Sequence, residues 1–281
     1  MRPPAKPFIA FLIALIALSG LHLIFAVIQD ITINIMNVLT TIAGVGVTVF
    51  LLAAISTLLP WPLKDRIMAL FLLNYFIQIV PSLVEYYFFS EGTGTVIING
   101  LATGLVNAAL AAVLIAWMFR PEVESVRFGA ALADWFGQRR WYAWLWRLAT
   151  AMVAYLLLYL VIGGIAVQFT GPYYTDPAYG LELTIPEGVM GIIAKVQPVR
   201  TVIFLVGLSG LLVGLGGNTR RVALWAGAAL FIMGGLVPLM AGAYDWPAPL
   251  RIYHTIEVFF QNVPAGYIFA RLLAPATGDT L

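Results

Sequence analysis

Eight long apolar blocks run along the chain, separated by short polar stretches. They cover Phe8–Ile28, Met36–Leu59, Ile67–Phe89, Val96–Phe119, Leu148–Phe169, Val199–Gly217, Val222–Ala243 and Ile252–Leu273. The blocks are continuous, without the short alternation of half-buried strands. A hydrocarbon core of about 30 Å needs roughly 20 apolar residues wound as a helix. Charges, prolines and glycine-polar turns such as Pro60-Trp61-Pro62 and Gly92-Thr93-Gly94 close the blocks. The first block resembles a signal-peptide core but is too long and lacks a cleavage site, so it counts as a span. The pattern predicts an all-α polytopic membrane protein with eight transmembrane helices.

Composition narrows the picture. Hydrophobic residues make up 62% of the 281 residues and charged residues 10%, against about 25% charged in soluble domains. Mean hydropathy is +0.95. This balance excludes a soluble globular domain and a disordered chain. The absence of cysteine excludes disulfides, thiolate metal sites, iron–sulfur clusters and thiol nucleophiles. A net charge of +2, with no basic block, gives no sign of nucleic-acid binding. The bilayer is the one partner that composition demands.

Lysine and arginine suggest an orientation. With the N-terminus cytoplasmic, that side holds twelve cations: Arg2, Lys6, Lys64, Arg66, Arg120, Arg127, Arg139, Arg140, Arg147, Arg220, Arg221 and Arg271. The other side holds three, Lys195, Arg200 and Arg251. Both termini are therefore expected in the cytoplasm, with the protein in a plasma or inner membrane. The run from Arg139 to Arg147, rich in tryptophan, reads as an interfacial belt. Residues 122–137 before it are expected to form a surface helix with Val123, Val126, Ala130 and Ala133 toward lipid.

The halves look alike. Arg66 precedes Pro81 as Arg221 precedes Pro238, and Asn107 has its counterpart in Asn262, at offsets near 155 residues. The expectation is a 4+4 internal repeat: a first transmembrane half over residues 1–121, a cytoplasmic connector over 122–147, and a second half over 148–281. Small-residue stripes suggest close helix packing. They are Gly100, Gly104, Ala108 and Ala112 in the fourth block, Gly207, Gly210, Gly214 and Gly217 in the sixth, and Gly227, Gly234 and Gly235 in the seventh.

Candidate chemistry lies in the polar residues inside these blocks, because ionisable groups in a bilayer are costly and mark function. Arg251, His254, Glu257 and Gln261 are spaced three, three and four, which puts them on one face of the last helix. Glu85 closes a polar stripe with Asn74, Gln78 and Ser82 in the third block. His22, Glu85, Arg200, Arg251, His254 and Glu257 are all expected in the outer leaflet. They read either as an interfacial ion-pair network or as an outward-facing pocket. In the pocket reading, Arg200 and Arg251 hold a small or lipidic anion, with Glu85, His22 and Gln261 around it, and His254 with Glu257 handles protons. The same pair are the candidate catalytic residues if the protein is a membrane-embedded enzyme. A third reading is a non-catalytic subunit of a membrane complex.

Ligand type alone permits a metal at His22, His254 and Glu257, or a haem between the histidines. No motif favours either, so no metal is assigned and the cofactor is left unknown. HExxH, GxSxG and P-loop patterns are absent. Residues 170–197 are expected to open irregularly at Gly171-Pro172 and then form an interfacial helix over the pocket mouth, from Pro186 to Val196.

Overall fold

The computed structural model describes residues 7–28, 34–89, 94–122, 127–176, 188–216, 218–242 and 246–275, and among them every regular element is a helix. Val123, Val126, Gly217 and the acids Asp30, Glu91, Glu182, Glu187 and Asp245 lie outside the described residues.

Helix α1 covers Pro7–Ile28 and α2 covers Ile35–Leu58. Helix α3 runs through Leu63–Asn74, a π-helical turn Tyr75–Ile79, and Val80–Phe89. Helix α4 is Gly94–Met118, α5 the short Phe128–Gly137, α6 Trp141–Thr175 and α7 Val189–Gly214. Helix α8 joins Thr219–Phe231, a second π-turn Ile232–Leu236, and Val237–Gly242; α9 is Ala248–Leu273. Among the described residues, seven helices are long and apolar enough to cross a membrane by length and composition: α1, α2, α3, α4, α6, α7 and α8. The chain is a helical membrane-type protein. Helix α9 has 26 residues but carries the polar stripe, which keeps it out of that group.

Two expectations at the end of α6 and the start of α7 are corrected. Gly171-Pro172 does not break the chain, because α6 continues to Thr175 with Pro172 inside it. Pro172 costs one backbone hydrogen bond, while its own carbonyl still accepts from Asp176 N at 3.0 Å. Of the segment read as a separate interfacial helix, Pro186 and Glu187 lie outside the described residues, and Val189 to Val196 form the first part of α7, which carries Pro198 internally.

Caps explain the element ends. Asn34 accepts from Asn37 N at 2.8 Å at the start of α2, and Asn218 accepts from Arg221 N at 3.0 Å at the start of α8. Arg66, fully buried, donates to Trp61 O at 2.6 Å and Ala116 O at 3.0 Å. It thus closes the C-terminal end of α4, whose last carbonyls have no intrahelical partner. At the end of α9, Trp135 Nε1 donates to Leu273 O at 2.7 Å, Arg139 donates to Ala274 O at 2.8 Å, and Arg147 donates to Leu272 O. These bonds tie α9 to the connector.

The connector helix α5 also differs from its expected role. Ala130 and Ala133 are exposed, as expected, but α5 is held by burying Phe128 and Trp135 in the protein. Phe128 stacks near Trp61 at 4.8 Å, and its N–H donates to Asp65 at 3.0 Å. An aromatic at each end of the helix buries more apolar area than the alanine face.

The small-residue stripes pack as expected. A side chain at Gly100 would collide with Leu83, one at Gly207 with Ile77, one at Gly210 with Ala69 and one at Gly214 with Leu59 and Trp61. Helix α3 is thereby clasped by α4 on one side and α7 on the other. The two π-turns touch at the middle of the bundle, where Gly234 lies against Ile77 and Phe204.

Candidate functional site

At the end of the bundle away from the connector, four helices bring polar side chains together. Arg200 on α7, 5% exposed, forms an ion pair with Glu85 on α3. Its second nitrogen reaches Gly234 O in the π-turn of α8 at 3.4 Å, and its guanidinium lies 5.1 Å from the centre of the Phe204 ring. The π-turn matters here: its wider winding breaks the regular i→i−4 ladder, which frees carbonyl groups for side-chain partners.

The stripe on α9 forms a chain of hydrogen bonds. His254 Nδ1 bonds Glu257 Oε2 at 2.8 Å, and Gln261 Nε2 donates to Glu257 Oε1 at 2.9 Å. The other imidazole nitrogen contacts the Tyr174 hydroxyl near the end of α6, and the Trp246 ring sits 5.6 Å from the imidazole. Both carboxylate oxygens of Glu257 are thus used. Gly163 on α6 faces this group, with Glu257 Oε1 3.5 Å from where its Cβ would stand. The two groups of residues are neighbours: Arg200 lies within electrostatic range of Glu85, Tyr155, Tyr159 and Glu257. Below them Tyr155 donates to Asn262 Oδ1 at 3.4 Å, and Asn262 Nδ2 donates to Leu230 O at 2.9 Å.

Five of the residues singled out in the sequence therefore meet: Glu85, Arg200, His254, Glu257 and Gln261. Arg251 lies one turn before His254 but forms no ion pair with Glu85 or Glu257 among the described residues, and its Nε is buried without a partner. His22 is elsewhere. Helix α1 packs on α2 and α4, and the His22 ring donates from Nδ1 to Leu18 O at 2.9 Å beside a separate cavity that no α9 residue lines. The two histidines are not brought together. Among the described residues, no three His, Asp or Glu side chains gather as a metal-binding group.

Sequence reasoning underweighted two residues. Tyr174 sits in a stretch read as loop, so its approach to His254 was invisible. Gln197 stands three residues before Arg200. It is completely buried, and neither its Oε1 nor its Nε2 has a partner. It shares a helix face with Arg200, one turn away. Its signal was available as a glutamine at i−3 from an arginine inside an apolar block.

No family model, curated protein or solved structure matches this chain.

Proposed function

We propose that the protein is a proton-linked membrane binding or transport protein for a small or lipidic anion, with Arg200 as the anion contact and Glu85 as its displaceable counter-ion. The observation that carries this reading is the environment of Arg200. One buried guanidinium is paired with the Glu85 carboxylate, and a second carboxylate on another helix, Glu257, lies within electrostatic range. With His254 neutral the group carries one net negative charge; a proton on His254 makes it neutral. An anion replacing Glu85 on Arg200 therefore brings a proton with it. The Gln197 amide, one turn away on the same helix, and Arg200 Nε are both unpartnered, and together they offer donors and an acceptor suited to a carboxylic acid or hydrogen phosphate group.

The same reading takes α9 as an eighth span and both termini as cytoplasmic, in a cell membrane. Helix α9 lies antiparallel against α6 along its length: His254 meets Tyr174 at one end, and Leu272 meets Arg147 at the other. If α6 crosses, α9 crosses beside it. The bias of twelve cations against three supports the direction. A 4+4 repeat has support in recurrent packing: α1 with α2 and α4 corresponds to α6 with α7 and α9. Each half also has one helix with a π-turn ending two residues before a proline, Pro81 or Pro238.

The test is calorimetric titration of the nanodisc-embedded protein with acetate, inorganic phosphate and oleate, in two buffers of different ionisation heat. Binding of one anion is expected with uptake of about one proton. Arg200→Gln should abolish it, and Glu85→Gln should tighten it by removing the competing carboxylate. If Glu85→Gln only lowers stability and no anion binds, the pair is structural and the reading fails.

A second reading rests on the series Tyr174 hydroxyl, His254, Glu257, which has the hydroxyl–imidazole–carboxylate order of a general-base relay. It makes the protein a membrane-embedded enzyme. A bell-shaped pH–rate profile that His254→Gln removes would distinguish it.

A further inference from the structure

At the junction of α5 and α6 two arginines come together. Arg139 donates to Leu273 O at 3.4 Å and to Ala274 O at 2.8 Å, and Arg147 donates to Leu272 O. Consecutive carbonyls at the end of α9 thus hold the two guanidinium groups side by side. Indole rings flank them. The Arg139 guanidinium lies 5.0 Å from the centre of the Trp144 ring, and that of Arg147 lies 4.8 Å from the centre of the Trp146 ring. Both arginines are part exposed.

The charge of this pair is not balanced. Among the described residues no carboxylate forms an ion pair with either arginine, and Asp134 of α5 is exposed and pairs with neither. The end of α9 offsets about half an elementary charge, against two positive charges. Burial and the neighbouring Arg147 charge both hold the Arg139 guanidinium below its usual range. A guanidinium carries five N–H donors. Arg147 Nε is enclosed, but the bonds to α9 use only two donors of Arg139 and one of Arg147. Both side chains keep donors to spend.

The pair also stands at a defined depth. Helix α6 is long and apolar enough to cross a membrane, and its long apolar run begins at Leu148, directly after Arg147. Trp141, Tyr142, Leu145 and Trp146 are exposed along the same turns. Indole and phenol rings settle at the level of lipid headgroups, which puts the two arginines beside phosphates and not in hydrocarbon.

We infer that Arg139 and Arg147 form a binding site for the phosphate of an anionic phospholipid, whose acyl chains lie against the exposed apolar face of α6. Arginine takes phosphate through paired, charge-assisted bonds. Charge selects the lipid. A choline headgroup adds an ammonium that the second arginine repels, whereas a glycerol headgroup leaves the phosphate charge uncompensated. The site is independent of the anion reading at Arg200, which lies at the other end of the bundle.

The test is native mass spectrometry of the full chain released from nanodiscs of equal phosphatidylglycerol and phosphatidylcholine. One phosphatidylglycerol is expected to stay bound at least fivefold more often than phosphatidylcholine. Added glycerol 3-phosphate, which has the charge but no chains, should not bind. The double variant Arg139→Gln, Arg147→Gln should bring the ratio near one. Arg147→Lys keeps the charge and a donor for Leu272 O but loses the forked grip. It should lower the ratio at least twofold, so instability of the double variant does not blunt the test. Arg140→Gln, at an exposed arginine that bonds Tyr142 Oη, should leave the ratio unchanged, as should Arg200→Gln. Equal retention of the two lipids by the wild-type chain overturns the proposal, and so does an unchanged ratio in both the double variant and Arg147→Lys. Loss of the preference in Arg200→Gln would place the lipid at the other site, and loss in Arg140→Gln would make the attraction diffuse. Binding of glycerol 3-phosphate in place of lipid would make the occupant a soluble phosphate. Each of these outcomes also overturns it.

Discussion

Individual polar residues in this chain divide by what their partners are. Arg66, just before the third apolar block, and Arg200, inside the sixth, are both buried arginines, yet they do different work. Arg66 donates to two backbone carbonyls, Trp61 O and Ala116 O, which are fixed parts of the chain at neighbouring helix ends. Arg200 ends chiefly on a carboxylate that is itself part exposed, with Glu85 at 34% side-chain exposure, so its partner can be exchanged. Removing Arg66 therefore has a structural consequence. Arg66→Leu strands two buried carbonyls at about 1–3 kcal/mol each, and the apparent melting temperature in detergent should fall by several degrees. Arg66→Lys should fall less, because an ammonium keeps one of the bonds but lacks the forked geometry. An unchanged melting temperature in Arg66→Leu would show that water replaces the cap. Sequence alone set Arg66 among the cytoplasmic cations and Arg200 among the candidate anion contacts, without the partners of either. The difference depends on carbonyls and carboxylates supplied by helices far away in the chain, which no local spacing encodes.

At the scale of elements, the close crossing of α8 and α9 is the tightest in the molecule to modify. A side chain added at Gly266 would run into the backbone of Gly227 and Ala226, and one at Gly227 would meet Val263 O at 3.1 Å. Backbone cannot rotate away as a side-chain tip can, so the two helices must separate. Gly266→Ala should cost about 1–3 kcal/mol, read as a lower melting temperature. Because Val258 and Asn262 of α9 also pack on Gly235 in the π-turn of α8, the same change should loosen the Arg200–Gly234 contact. Gly20 on α1 is the control: nothing lies within 4 Å of an added Cβ, so Gly20→Ala should be neutral or slightly stabilising through helix propensity. Equal melting temperatures for the two variants would mean that the crossing is not a tight constraint. The glycines themselves were legible from their spacing. Gly266 was not among them, because it stands outside any stripe. The continuations of α6 through Pro172 and of α7 through Pro198 were also missed, since proline was read as a break where packed neighbours hold the helix together.

For the whole molecule, the helical membrane class was legible because membrane thickness imposes a length that apolar blocks reveal directly; the count of eight spans was not matched, since seven helices among the described residues are long and apolar enough to cross. The polar face of α9 was legible too, since three- and four-residue spacing fixes a face without knowledge of the neighbours. Which distant residues that face meets was legible only as a shared depth, and depth misled for His22. It sits on α1, which packs on α2 and α4, beside a cavity that no α9 residue lines. The remaining whole-molecule question is whether α9 completes an even number of crossings, and the lack of native cysteine makes it directly measurable. Gln138 is exposed just before the start of α6, and Met190 is exposed in the first turn of α7; Arg271 is exposed near the end of α9. In intact cells a membrane-impermeant maleimide should label Met190→Cys, while Gln138→Cys and Arg271→Cys should react only after permeabilisation. Labelling of Arg271→Cys from outside would detach α9 from its antiparallel course along α6. It would also remove the reason for placing His254 and Glu257 beside Arg200 at one end of the membrane. Agreement of Arg271→Cys with Gln138→Cys would put Arg200, Glu85, His254 and Glu257 on the extracytoplasmic side, where an anion and its proton enter together.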